Sequence, residues 1–240
     1  MQIKDSVAFV TGANRGIGRA FVDALLERGA RRVYAAARDL AALDAIVLLD
    51  PTRVRAVRLD VTSVADARAA AALAKDVTLL INNAAVLATG GFADLPVAAV
   101  RDNMETNFYG LLNLTTAFIP VLERQGGAVV NILTLLSMVS LPGLAAYNAS
   151  KAAGWSLTQS FRADLAKRGI AVHGVFPGAV DTDMARSLTI PKTSAIDVAR
   201  ATLAGVDAGD EDIYPDPMSK EVYSAWRKDH KAVERQFAAM

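Results

Sequence analysis

Residues 6–18 read SVAFVTGANRGIG. Ser6 to Val10 is a short apolar run that predicts a buried strand. Thr11 to Gly18 forms a glycine-rich turn. Arg19 to Arg28 then places Phe21, Val22, Leu25 and Leu26 on one face, the helical period. A strand, a tight glycine turn and a helix N-terminus in that order make an anion site. Exposed backbone N–H groups and the helix dipole together favour a pyrophosphate. Gly12 permits the sharp turn, Gly16 keeps a Cβ out of the phosphate's path, and Gly18 lets the helix sit close to the sheet. Asn14, Arg15 and Ile17, the remaining members of the turn, join the glycines as candidate dinucleotide contacts.

Working outward, short apolar runs alternate with helical patterns. Strands are expected at Arg32 to Ala37, Val54 to Leu59, Val77 to Ile81, Ala128 to Leu133 and Ile170 to Phe176, with a short seventh at Ile213-Tyr214. The intervening segments are rich in Ala, Leu and Arg and suit helices. This alternation predicts an α/β fold: a doubly wound parallel sheet of six to seven strands with helices on both faces. No linker separates domains, so residues 1–240 are expected to form one dinucleotide-binding unit. A substrate loop is placed at about 182–195. A charged C-terminal helix, at about 218–238, is expected either to face solvent or to pack on a partner subunit.

Composition narrows the function classes. Hydrophobic residues make up 52% of the 240, enough for a core covered on both sides. The 26 Lys and Arg against 25 Asp and Glu give a net charge of +1, which offers no concentrated positive surface for nucleic acid. No long uncharged apolar stretch reads as a membrane span, and no secretory signal is visible, so a cytoplasmic protein is expected. The absence of cysteine excludes thiolate chemistry and disulfides. His173 and His230 stand far apart and read as a strand residue and a surface residue rather than metal ligands.

The second strand carries the choice of cofactor. An NAD site usually has an acid about 20 residues past the glycines, bonded to the ribose 2′-hydroxyl. Here the strand ends Ala35-Ala36-Ala37-Arg38, and Asp39 follows it. Arg38 and Arg15 could both reach a 2′-phosphate, and guanidinium groups suit that geometry. NADP(H) is therefore the expected cofactor, with NAD(H) possible.

The chain closely resembles the short-chain dehydrogenase/reductase family over roughly residues 4 to 185. The motifs that carry the resemblance occur in order. They are TGANRGIG, Asp60-Val61, Asn82-Asn83-Ala84-Ala85, Asn107 within METNFYG, Tyr147-Asn148-Ala149-Ser150-Lys151, and Pro177-Gly178 followed by Thr182. The resemblance implies NAD(P) binding and interconversion of a carbonyl and an alcohol, as in a carbonyl reductase. It puts Asp60 and Val61 at the adenine, Asn83 and Ala84 beside the adenosine ribose, and Pro177, Gly178, Val180 and Thr182 at the nicotinamide. It makes Asn107, Thr134, Tyr147 and Lys151 catalytic, with Tyr147 and Lys151 also touching the cofactor. It further implies a homodimer or homotetramer, pairing helices around Met104 to Leu122 and Tyr147 to Lys167.

Tyr147 and Lys151, four apart, share one face of a helix. A free tyrosine titrates near pH ~10, and an ammonium nearby favours the phenolate. Tyr147 can then pass a proton to a carbonyl oxygen. The resemblance has Asn107 hold a water that links Lys151 to solvent. Thr134 stands where the family usually has Ser, and Ser137 is the rival for that hydroxyl. Leu135, Leu136, Met138, Leu141, Leu144, Met184 and Leu188 are candidate pocket residues, so a hydrophobic ketone or aldehyde is the expected small-molecule substrate. The alternative is a cofactor-sensing regulatory protein with the same fold and little turnover.

Overall fold

Strand β1 (Val7–Thr11) is buried throughout and leads directly into helix α1 (Gly16–Glu27). This unit seeds a sheet that the computed structural model, which describes residues 1–240, completes with six more strands. They are β2 (Arg32–Ala37), β3 (Val54–Arg58), β4 (Leu79–Asn82), β5 (Ala128–Ile132), β6 (Ala171–Val175) and a short edge strand, Asp212–Ile213. The order is β3-β2-β1-β4-β5-β6-edge, with every pairing parallel. This is the doubly wound sheet expected from the sequence.

Parallel strands need crossover helices, and these cover both faces. Beyond the one-turn helix α2 (Asp44–Val47) lies α3 (Val64–Leu73), then α4 (Val97–Met104), α5 (Gly110–Gln125) and α6 (Ala145–Ala166). One core cluster of 26 buried residues brings Phe21, Val22 and Leu25 of α1 against Val10, Ile81 and Val130. The other, of 22, brings Leu114 and Phe118 of α5 and Phe161 of α6 against Phe9, Leu80 and Val129. The near-equal sizes explain why the strands read as continuous apolar runs rather than alternating ones.

The expected helix from Met104 is less regular than its pattern suggests. A π-helical turn, Glu105–Tyr109, separates α4 from α5 and carries Asn107. Past β6, a two-residue pairing of β7 (Val180–Asp181) with β8 (Thr193–Ser194) closes the loop at 182–192. Helix α7 (Ala195–Ala208) packs beside α1 and leads to the edge strand, β9. His173 lies buried in β6, with Nδ1 donating to the Asp210 carbonyl at 2.6 Å, while His230 is exposed at the start of the last helix.

The C-terminal segment corrects the sequence expectation. Two helices form, α8 (Pro217–Lys228) and α9 (His230–Ala238), broken at Asp229. The Asp229 carboxylate accepts from Ala232 N at 2.9 Å and so starts the second helix. One face of the pair packs on the chain itself rather than standing free in solvent. Val233 and Phe237 are buried in this same chain, against Leu135 and Val139.

Candidate active site

Strand order reverses between β1 and β4, so the loops leaving these strands diverge and open a crevice at their C-terminal ends. The glycine turn lines it. Gly12 and Gly16 adopt left-handed backbone, φ 62° and 53°. Gly18 does not reach the crevice. A Cβ there would sit 2.1 Å from the Gly12 carbonyl oxygen and 2.5 Å from Asn83 Nδ2. The bare Cα at this position lets the turn close on itself. Gly12, Asn14, Arg15, Gly16 and Ile17 do line the cleft.

Thr11, which sequence reasoning quoted but gave no role, locks this turn to the loop after β4. Its buried hydroxyl accepts from Asn83 N at 2.9 Å and Ala84 N at 3.0 Å. The Asn83 amide donates back to Thr11 O at 2.9 Å. Behind them Asn82 donates to Thr115 and Asn131, and Asn131 donates to Thr158, so α5, β4, β5 and α6 share one buried polar chain. The available signal was polar residues within otherwise apolar strands.

At the end of β2, Arg38 is exposed, forms no ion pair and lines the cleft. Arg15 also lines it, 3.8 Å from Asp183 of the 182–192 loop. Asp39 lines the cleft as well, with its Oδ1 accepting from Ala41 N at 3.0 Å. Asp60 and Val61 leave β3 into the same cleft, and Asp60 Oδ1 is held by Thr62 N at 3.0 Å. Pro177, Gly178, Val180 and Thr182 complete the far side.

Thr134, Tyr147 and Lys151 are buried and meet on one wall of the cleft. Thr134 leaves β5 in extended backbone. Its Oγ1 accepts from Leu136 N at 3.2 Å and donates weakly to Pro177 O at 3.3 Å. Ser137 is also buried, but its hydroxyl has no partner and does not line the cleft. Lys151 Nζ donates to Ile132 O at 2.8 Å and lies 5.8 Å from the centre of the Tyr147 ring.

Burial pushes the Tyr147 phenol up and brings the Lys151 ammonium down, to about 8. Desolvation penalises the charged form of each. The fold alone therefore keeps Tyr147 a neutral acid, contrary to the expectation that Lys151 would lower its pKa. A protonated phenol is the form needed to donate to a carbonyl oxygen.

Asn107 does not reach the cleft. Its Oδ1 accepts from Val86 N at 2.9 Å, and its Nδ2 donates to Val86 O and Ser150 Oγ, both at 2.9 Å. The amide thus ties the loop after β4 to α6. Beside it lies a separate cavity of about 10 Å³, bordered by Asn107, Lys151, Asn82 and Ile132. That is close to the least volume that holds one water.

The main cleft measures about 1230 Å³. Leu135, Leu136, Leu141, Leu144, Met184 and Leu188 line it as expected, whereas Met138 does not. Sequence reasoning missed Met218, Val222 and Phe237, contributed by α8 and α9.

A glycine cradle at a doubly wound sheet's switch point, beside a buried Tyr-Lys pair, defines a dinucleotide-binding oxidoreductase. The family model described as short chain dehydrogenase matches residues 6–192, and the chain belongs to this family. Similar curated proteins differ in what they act on. The 3-oxoacyl-(acyl-carrier-protein) reductase FabG of Vibrio cholerae is 31% identical over 87% of this chain and 85% of its own. The 2-(S)-hydroxypropyl-CoM dehydrogenase 3 of Xanthobacter autotrophicus is 34% identical over 80% of this chain and 79% of its own. A short chain dehydrogenase from Burkholderia cenocepacia, solved in complex with NADP, is 40% identical, with TM-score 0.94 over 99% of both chains.

Proposed function

We propose that this protein is an NADP(H)-dependent carbonyl reductase, interconverting a hydrophobic ketone or aldehyde and its alcohol. The observation that carries this is the shared wall of Thr134, Tyr147 and Lys151, facing a cleft that begins at the glycine cradle. The cradle fits a dinucleotide because Gly12 and Gly16 hold left-handed backbone and present no side chain to it. Arg38, exposed in the cleft and in no ion pair, suits the 2′-phosphate. The NADP bound by the Burkholderia cenocepacia relative supports the same choice. When bound, the nicotinamide supplies the hydride.

The chain's own residues supply the rest. Thr134 turns its hydroxyl from Pro177 O to the substrate oxygen, giving up a long bond for a better one. Tyr147 donates its proton to that oxygen and accepts it back when an alcohol is oxidised. Lys151 has two N–H bonds left after Ile132 O, and its charge steadies the phenolate formed on donation. Asn107 acts at a distance, holding the loop and α6 in register beside the small cavity. Homodimerisation through the α4–α5 side accords with the exposed Val97 and Tyr109.

A panel of neutral aliphatic and aromatic ketones with NADPH, then with NADH, tests this assignment. We expect NADPH consumption with several of them and a KM for NADPH about tenfold or more below that for NADH, as one charge-assisted phosphate contact would give. No consumption of either cofactor with any ketone or aldehyde would overturn it.

A further inference from the structure

The family model ends at residue 192, yet the cleft continues past it. From β9 the chain turns through Tyr214, Pro215 and Asp216 into α8. Asp216 is buried, and its two oxygens serve two elements. Oδ1 accepts from Ser219 N at 2.8 Å and caps α8, and Oδ2 accepts from Gly178 N at 2.8 Å. The start of α8 is thereby fixed to the loop that flanks the catalytic wall.

Aromatic rings fasten the rest. Tyr214 stacks between Phe176 and Tyr223, at 5.3 and 4.0 Å, and Trp226 meets Trp155 of α6 edge-on at 6.2 Å. Helix α9 folds back so that Phe237 is buried with Leu135 and Val139, beside Met218 and Val222. Met218, Val222 and Phe237 also line the cleft, along with Leu136 and Leu141 from the segment between Thr134 and Tyr147. The helix pair therefore stands on the substrate side.

Charge is distributed unevenly along the cleft. Its only cations are Arg15, Arg38 and Lys151, at the glycine turn, the end of β2 and the catalytic wall. Asp39, Asp60, Asp102, Glu105 and Asp183 also line it, and the helix pair adds one further acid, the exposed Glu221.

We propose that the C-terminal helix pair is the specificity wall of the substrate compartment. Met218, Val222 and Phe237 set the size of the apolar group beside the carbonyl, and Glu221 selects against carboxylates and phosphates. The substrate class is then a neutral or cationic carbonyl compound with a bulky apolar substituent. This rests on the carbonyl-reductase assignment and deepens it.

The test uses the full-length protein with NADPH, a series of neutral ketones of increasing bulk, and a keto acid matched in size to one of them. Phe237→Ala is expected to raise the ratio of kcat/KM for the bulkiest to the smallest ketone by about tenfold, and Val222→Phe to lower it similarly. Glu221→Lys is expected to raise the keto-acid to neutral-ketone ratio about tenfold. The dissociation constant of NADPH should stay within about twofold throughout, because no cofactor contact is altered. Emission from Trp155 and Trp226 reports whether the pair remains docked. If Phe237→Ala fails to fold, Val222→Phe and Glu221→Lys decide the matter. An active wild type whose size and charge preferences are unmoved by the folded variants overturns the wall alone. A wild type that consumes no NADPH with any ketone overturns the carbonyl-reductase assignment beneath it.

Discussion

Thr134 stands where the proposed mechanism needs a hydroxyl donor to the substrate oxygen. Its methyl restricts χ1 compared with serine, yet its hydroxyl lines the cleft, while that of Ser137 is enclosed without a partner. Thr134→Val should lower kcat roughly a hundredfold, the usual cost of one transition-state donor, and Ser137→Ala should leave kcat within about threefold. The reverse ranking in steady-state assays would move the role to Ser137. Lys151 gives a second expectation. Its ammonium, lowered by burial to about 8, is present below that pH and is lost as pH rises through it. The phenolate left after proton donation then loses its compensating charge, so reductive kcat/KM should be level below pH 8 and fall above it. A profile that rises between pH 7 and 9 would contradict this assignment.

At the level of elements, the turn from β1 to α1 tolerates no side chain at Gly18. A Cβ would meet backbone at 2.1 Å, so the Gly12 carbonyl would have to move. Gly18→Ala should therefore weaken NADPH binding at least tenfold by opening the cradle, read by fluorescence titration. Unchanged affinity would show that the turn is not the cradle.

This turn was legible because each glycine answers a local steric demand, and Tyr147 with Lys151 because a four-residue spacing fixes a shared face. The C-terminal pair was not. Met218, Val222 and Trp226 do repeat every four residues, and Val233 and Phe237 repeat the interval after Asp229. Dense charge between them made the stripe resemble a solvated surface. Only contact with the segment after Thr134, nearly a hundred residues earlier, shows which face is covered. Nor could spacing show that burial raises the phenol's pKa, since that depends on how completely the fold excludes water.

Across the whole molecule, the sheet divides the work. The side built from β1 to β3 presents the glycine turn, Arg38 and Asp60, while β5, α6 and the C-terminal helices border the rest of the cleft. Phe92, Val97 and Tyr109 remain exposed in and around α4 and its junction with α5. We expect sedimentation equilibrium to give the mass of two or four chains, and a single-chain mass would contradict the assembly inferred here. The most direct test of the chemistry is NADPH consumption by Tyr147→Phe, measured beside its NADPH dissociation constant. Turnover should fall roughly a thousandfold for want of the proton donor, with the dissociation constant within about threefold of the parent. Turnover within about tenfold of the parent would show that the proton comes from elsewhere.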